Sequence, residues 1–267
     1  MRLQDRIAMV VGAGQSPGET MGNGRATALV FAREGAKVAA VDRDLASAQD
    51  TVAMIEDAGG TAIAVAADVT DEAAVKAAVD ATLGEYGRID ILHNNVGISI
   101  AGGDAEITEI TVEAFDYCVA VNLRGMVLAC KHALPSMREQ GGGVILNISS
   151  LAAWSAYPLV AYKTTKAAVV ALTDQLAIHN ARYGIRANVI LPGLMDTPMA
   201  VDTRVAALGK TREEIVAGRD AKVPLGRKMG TGWDIANAAL FFCSPMADII
   251  TGQSIAVDGG SADAVIY

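Results

Sequence analysis

The chain has 267 residues, 52% of them hydrophobic and 19% charged, with 30 acidic side chains against 22 basic ones. A net charge of −8 without a Lys/Arg cluster argues against nucleic acid or an anionic membrane as partner. Three cysteines, Cys118, Cys130 and Cys243, lie far apart in apolar helical patterns with no C-x-x-C, which excludes a disulfide framework and points to buried, reduced thiols. The start, MRLQDRIAMVVGAG, enters a strand at once with no signal peptide, and no apolar run approaches the ~18 residues of a membrane span. A cytoplasmic location is the expectation.

Short apolar runs at Ile7–Val11, Lys37–Val41, Thr61–Ala66, Ile89–His93, Val144–Ile148, Arg186–Leu191 and Ser254–Val257 alternate with helical patterns near 22–34, 44–58, 71–86, 111–139, 160–182 and 231–243. Strand–helix alternation predicts an α/β fold: one doubly wound Rossmann domain over 1–267, a central parallel sheet of about seven strands, and helices on both faces. No linker, repeat or low-complexity tract divides it.

The first strand ends in VVGAG, followed by QSPGETM and the helix GNGRATALVFAREG. Gly12, Gly14, Gly22 and Gly24 let the backbone turn and approach a pyrophosphate seated on the helix N-terminus. Residues 15–21 lengthen this loop beyond a compact fingerprint and suggest a flap beside the phosphates. Asp42 closes the second strand about 20 residues on, where an acidic side chain accepts hydrogen bonds from ribose hydroxyls and repels a 2′-phosphate by several kcal/mol at intermediate dielectric. NAD is therefore favoured over NADP, although Arg43 could turn onto a 2′-phosphate. Asp68 is a candidate for the adenine amino group, with Val69 beside it; Thr70 and Asp71 are helix-cap candidates. Asn94 and Asn95 suit a loop against the adenosine ribose, or a turn. His93 reads as a satisfied strand residue, and no histidine has partners in metal-binding spacing.

Ser149 and Ser150 close the fifth strand, at the sheet end where α/β folds place their sites. Tyr162 and Lys166 follow, four apart on one face of a long helix. A hydroxyl, a phenol and an ammonium can thus converge.

These pieces, together with Asn122 in VNLRG, LPGLMDT at 191–197 and TGQ…DGG at 251–260, resemble the short-chain dehydrogenase/reductase family over essentially the whole chain. The chain departs from that pattern in the 15–21 insert and in Val96, where the family usually has Ala. The resemblance implies that Tyr162 is the general acid/base, that Lys166 lowers its pKa and holds the nicotinamide ribose, that Ser150 or Ser149 polarises the substrate oxygen, and that Asn122 supports a water chain through the lysine. Ser149 has the usual family spacing to Tyr162; Ser150 fits the strand-end position and is favoured. A free phenol titrates near 10, so bringing it to neutrality asks roughly 3–4 kcal/mol of its surroundings.

Pro192 and Gly193 turn into the expected nicotinamide loop, and Thr197 is a candidate for the carboxamide. Residues 194–223 are expected to form a lid. Leu194, Met195 and Met199, with Trp154, Tyr157 and Leu159, suggest a mainly apolar substrate pocket. The function expected is an NAD-dependent exchange between a secondary alcohol and a ketone. The rivals are an NADPH-dependent carbonyl or 3-oxoacyl reductase and, more remotely, a non-catalytic dinucleotide-binding protein. The resemblance also implies a homo-oligomer, tetramer or dimer.

Overall fold

The computed structural model describes residues 1–262, so the last five residues of the expected domain lie outside it. In chain order the elements are β1 (Ile7–Val11), α1 (Asn23–Arg33), β2 (Lys37–Asp42), α2 (Leu45–Asp57), β3 (Thr61–Ala66), α3 (Glu72–Tyr86), β4 (Ile91–Asn94), α4 (Val112–Val119), a π-helical turn (Ala120–Arg124), α5 (Gly125–Glu139), β5 (Gly143–Ile148), α6 (Val160–Asn180) and β6 (Ile185–Pro192). There follow β7 (Met195–Asp196), α7 (Asp202–Leu208), α8 (Arg212–Asp220), β8 (Gly230–Thr231), α9 (Gly232–Cys243) and β9 (Ser254–Val257).

Seven strands form one parallel sheet in the order β3-β2-β1-β4-β5-β6-β9. Alternation along each strand feeds two cores. Ala8 and Val10 of β1, Val38 and Ala40 of β2, and Leu146 and Ile148 of β5 join the cluster under α1 and α9. Their neighbours Met9, Val11, Ala39, Val41 and Ile145 join the cluster under α3, α5 and α6. Both faces being covered, the strands read as continuous apolar runs rather than alternating ones.

Strand order reverses between β1 and β4, and a crevice opens outside the carboxyl ends of strands at such a point. The glycine loop after β1, the Asn95–Gly97 turn after β4 and the serines after β5 all emerge there. Helix starts are held by sequence-local caps: Asp44 on α2, Asp71 on α3, Thr111 on α4, and the Thr211/Glu214 and Thr231/Asp234 boxes on α8 and α9. Three details differ from the sequence expectations. The fourth strand begins two residues later and takes in Asn94. The helix expected over 111–139 is interrupted by the π turn at Asn122. The expected lid holds two short helices, α7 and α8, on a small core of Val201, Ile215, Val223 and Met229. Among the described residues no helix is long and apolar enough to cross a membrane.

A Cβ on Gly24 would fall inside the shell of the Gly12 carbonyl oxygen, because α1 packs backbone to backbone on the glycine loop. Gly84, inside α3, has open space around it. Urea unfolding should show Gly24→Ala destabilised by about 3 kcal/mol or more, whereas Gly84→Ala should gain about 0.5–1 kcal/mol from helix propensity.

Candidate active site

Gly12 adopts φ +88°, where an L side chain is strained, and a Cβ on Gly14 would lie 2.7 Å from the Asp42 carboxylate. Asp42 ties this loop to β2: Oδ2 accepts from the Gly14 N–H at 3.0 Å and Oδ1 from the Asp44 N–H at 3.1 Å. Asn95 donates from Nδ2 to the Gly12 carbonyl at 3.1 Å. Helix α1 opens at Gly22 without a side-chain cap, although Gln15 Oε1 accepts from the Gly22 N–H at 2.8 Å. The remaining first-turn N–H groups and the helix dipole favour an anion there. A bare glycine backbone, an uncapped helix start and a carboxylate at the β2 end fit a dinucleotide's pyrophosphate and ribose.

Other expected cofactor residues are spread more widely. Asp68 is exposed, and its Oδ1 accepts from both the Thr70 N–H (2.8 Å) and hydroxyl (2.7 Å), which hold its pKa below the ordinary carboxylate value. Asp71, rather than Thr70, caps α3. Val69 is buried against Gly125. Asn94 needs correction as a loop residue: it is inside β4, with Nδ2 donating to Asn147 Oδ1 at 2.9 Å, so its amide links two strands instead of facing the crevice. His93 is fully buried in β4 beside Leu146, and burial pushes its pKa down to about 3, so it is neutral. Gly193 donates its N–H to the Val257 carbonyl at 3.0 Å as the chain leaves β6 at Pro192, and Thr197 is buried just beyond. The described residues contain no cluster with the composition of a metal site.

The serines, Tyr162 and Lys166 do meet. Ser149 is buried and donates to the Lys166 carbonyl at 2.6 Å, so its hydroxyl is turned into α6. Ser150 is not turned into α6: its Oγ accepts from the Ala152 N–H at 3.1 Å, and its hydroxyl acts on the Tyr162 phenol, pulling its pKa down. Lys166 is 2% exposed, with one hydrogen bond, from Nζ to the Ile148 carbonyl at 2.9 Å, and Nζ stands 5.6 Å from the centre of the Tyr162 ring. An ammonium has three donors, so the fold leaves it capacity for a ribose hydroxyl. Burial pushes Lys166 down to about 8. Burial also pushes Tyr162 up to about 12, against the Ser150 hydrogen bond and the charges of Arg204 and Arg219, which pull it down.

Asn122, carried inward by the π turn, accepts from the Ile98 N–H at 2.7 Å and donates to the Ile98 carbonyl at 2.8 Å and to Thr165 Oγ1 at 3.1 Å. Its side chain thus clamps a loop rather than reaching Lys166. π turns often mark functional positions. Asp104, which the sequence gave no reason to single out, is 7% exposed and accepts from the backbone N–H groups of Ala161 and Tyr162, each at 2.9 Å. It caps α6 from a distant loop and fixes the turn that carries the phenol; only the tertiary fold brings it there.

The insert and the lid touch. Arg212 of α8 pairs with Asp196 (2.5 Å), Asp202 (3.3 Å) and Glu19 of the insert (3.7 Å), and Thr20 donates to Asp196 at 3.4 Å. Two residues expected in an apolar pocket are elsewhere: Met195 lies in the main core and Leu194 packs on the lid's own core. Tyr157 stays near, its ring 5.5 Å from that of Tyr162.

A family model described as enoyl-(acyl carrier protein) reductase matches residues 18–262. The chain belongs to the short-chain dehydrogenase/reductase family. As a member of that family it is an oxidoreductase acting on CH–OH and C=O groups, and the family binds a nicotinamide dinucleotide. It is 37% identical to 2-(R)-hydroxypropyl-CoM dehydrogenase of Xanthobacter autotrophicus over 95% of this chain and 97% of that one. A short-chain dehydrogenase/reductase crystal structure from Burkholderia xenovorans superposes with a TM-score of 0.92 at 40% identity, covering 99% of each chain. A 7α-hydroxysteroid dehydrogenase crystallised with NADH and a 7-oxo bile acid gives 0.86 at 33%, covering 97% of this chain and 95% of that one.

The buried ammonium of this dehydrogenase/reductase opposes folding. With Lys166 at about 8 against an ordinary 10.5, the unfolded chain binds more protons between those values, so stability rises with pH across that window. Lys166→Met should raise stability at pH 7 by about 1–3 kcal/mol and flatten the rise between pH 8 and 10, as read by denaturant unfolding at each pH.

Proposed function

We propose that this chain is an NAD-dependent oxidoreductase that interconverts a secondary alcohol and a ketone, with Tyr162 as general acid/base. The observation that carries the reading is the half-buried Tyr162 phenol, which Ser150 acts on and whose ring centre lies 5.6 Å from the Lys166 ammonium, on the side of the sheet where the glycine loop and Asp42 would cradle a dinucleotide. In alcohol oxidation the Tyr162 phenolate takes the hydroxyl proton, and in ketone reduction the phenol returns it. Ser150 Oγ holds the substrate oxygen, and Lys166 Nζ holds a ribose hydroxyl while steadying the phenolate. Ser149 positions α6 through the Lys166 carbonyl, and Asn122 positions the loop at Ile98. A nicotinamide, when bound, would supply the hydride acceptor or donor and, in its oxidised form, a positive charge that favours the phenolate. That second positive charge is what the site needs to overcome a phenol raised to about 12 by burial.

For the cofactor, Asp42 supports NAD, since its carboxylate lies against the loop where the adenosine ribose would sit. Arg43 beside it is exposed and has no ion-pair partner among the described residues. Gly12, Gly14, Gly22 and Gly24 would carry the pyrophosphate, with Asn95 bracing the loop and Pro192, Gly193 and Thr197 lining the nicotinamide end. We read the chain as one domain with a lid at 194–223, and as a homo-oligomer, for which the exposed Val112, Tyr117 and Val127 of α4–α5 and Ile178 of α6 are supporting surface. Three buried thiols support a reducing, cytoplasmic setting.

Tyr162→Phe should lower kcat by 10³-fold or so while NAD affinity, measured by fluorescence titration, changes little. Ser150→Ala should lower kcat by about 10²–10³, and Ser149→Ala by less than tenfold with about 1 kcal/mol lost from stability; the opposite order would transfer the role to Ser149. Asp42→Ala should narrow the ratio of kcat/KM with NAD to that with NADP by about tenfold or more, and an unchanged ratio would mean that another group selects the cofactor.

A further inference from the structure

Ser150 opens a turn that is closed on its own backbone. Its Oγ accepts from the Ala152 N–H at 3.1 Å, its carbonyl accepts from the Ala153 N–H at 2.9 Å, and Ser155 Oγ donates to the Leu151 carbonyl at 3.0 Å. A turn bonded to itself in this way moves as one piece. Ser150 and Tyr162 therefore meet in a fixed geometry only if the piece is fastened to α6. Ser149 fastens the strand end, through the Lys166 carbonyl at 2.6 Å.

Lys163 makes a second attachment, at the far end of the turn. This half-buried residue follows Tyr162 on α6, and its Nζ donates to the Ala152 carbonyl at 3.1 Å and to the Ser155 carbonyl at 2.6 Å. Among the described residues it has no carboxylate within 4.0 Å. Two of its three N–H donors are spent on main-chain oxygens of the turn that carries Ser150. Bonds from an ionised donor are stronger than neutral ones, and two from one nitrogen locate the turn in two directions.

The start of α6 is anchored independently. Its first three N–H groups are taken by one loop: Val160 donates to the Ala105 carbonyl at 3.0 Å, and Ala161 and Tyr162 donate to the two Asp104 oxygens at 2.9 Å each. With the helix start held from that side, Lys163 decides where the serine turn lies relative to the tyrosine.

We propose that Lys163 is a positioning residue that sets the separation between Ser150 Oγ and Tyr162 Oη, two groups that have to reach the same substrate oxygen. The inference rests on the oxidoreductase reading and adds to it a residue that touches neither substrate nor cofactor. It acts through Ser150, so its effect on turnover depends on that hydroxyl being present.

The test uses the full-length enzyme with NAD and a panel of secondary alcohols, 2-butanol, 2-octanol, cyclohexanol and 2,3-butanediol, followed by absorbance of the reduced cofactor. On the fastest of them Lys163→Met should lower kcat by about tenfold to a hundredfold, with NADH affinity by fluorescence titration unchanged. Lys163→Arg, which can still donate to two carbonyls, should recover part of that loss. In the Ser150→Ala background Lys163→Met should change kcat by less than about threefold, because residues acting through one another are not additive. A general loss of structure would lower both backgrounds alike. Crystals of the wild type and of Lys163→Met, which need no substrate, should show the 151–155 turn displaced and the two hydroxyls farther apart in the variant. Lys163→Gln carries the same measurements if the methionine variant does not fold. An undiminished kcat, an equal loss in both backgrounds, or an unchanged separation of the hydroxyls would each overturn the inference. The oxidoreductase reading is judged separately, by whether Tyr162→Phe abolishes turnover of the alcohols the enzyme accepts.

Discussion

An ammonium held almost entirely out of water is the constraint around which the site is arranged. Lys166 keeps one hydrogen bond, to the last residue of β5, and the surrounding elements are shaped to cage it. Ser149 takes the carbonyl of the same residue, Gly97 leaves room for its tip (a Cβ there would stand 3.1 Å from Nζ), and Asn122 locks the loop beside it. Solvation lost by this group is replaced in the protein by that one hydrogen bond. Stability is thereby traded for readiness, a familiar tension at sites where catalysis needs a strained charge state.

Much of this was readable in the chain. Parallel strands buried on both faces leave uninterrupted apolar runs, so the sheet could be drawn from the sequence almost to the residue. The glycine loop and Asp42 were legible from their spacing around the first two strands, whereas the Tyr162/Lys166 pair, a weak signal by spacing alone, stood out through the family resemblance. What escaped depended on distant contacts. Asp104 lies 58 residues from the tyrosine whose N–H it accepts, in a stretch without periodicity. Asn94 resembled a loop amide because the end of β4 was misjudged, while the π turn left no signature in a pattern that reads as plain helix.

The cleft also joins segments that are remote in the chain. The insert at 15–21 does two things: Gln15 occupies one donor at the start of α1, and Glu19 and Thr20 meet Arg212 and Asp196 of the lid. The glycine-loop insert and the 194–223 segment are thus braced by one ionic cluster. Charge is organised locally there, with Glu19, Asp196 and Asp202 gathered around Arg212.

Cys118, Cys130 and Cys243 have their own consequence. All are buried, and burial raises their thiols to about 11, 12 and 12. At neutral pH the reactive thiolate is then present in only about one molecule in 10⁴–10⁵, against a few per cent for a free cysteine. Alkylating reagents will find these sulfurs only after the helices around them have opened. The three positions are therefore built-in clocks for local and global opening, needing no engineered label, and their separate placement in α4, α5 and α9 lets one experiment distinguish which part of the molecule loosens first.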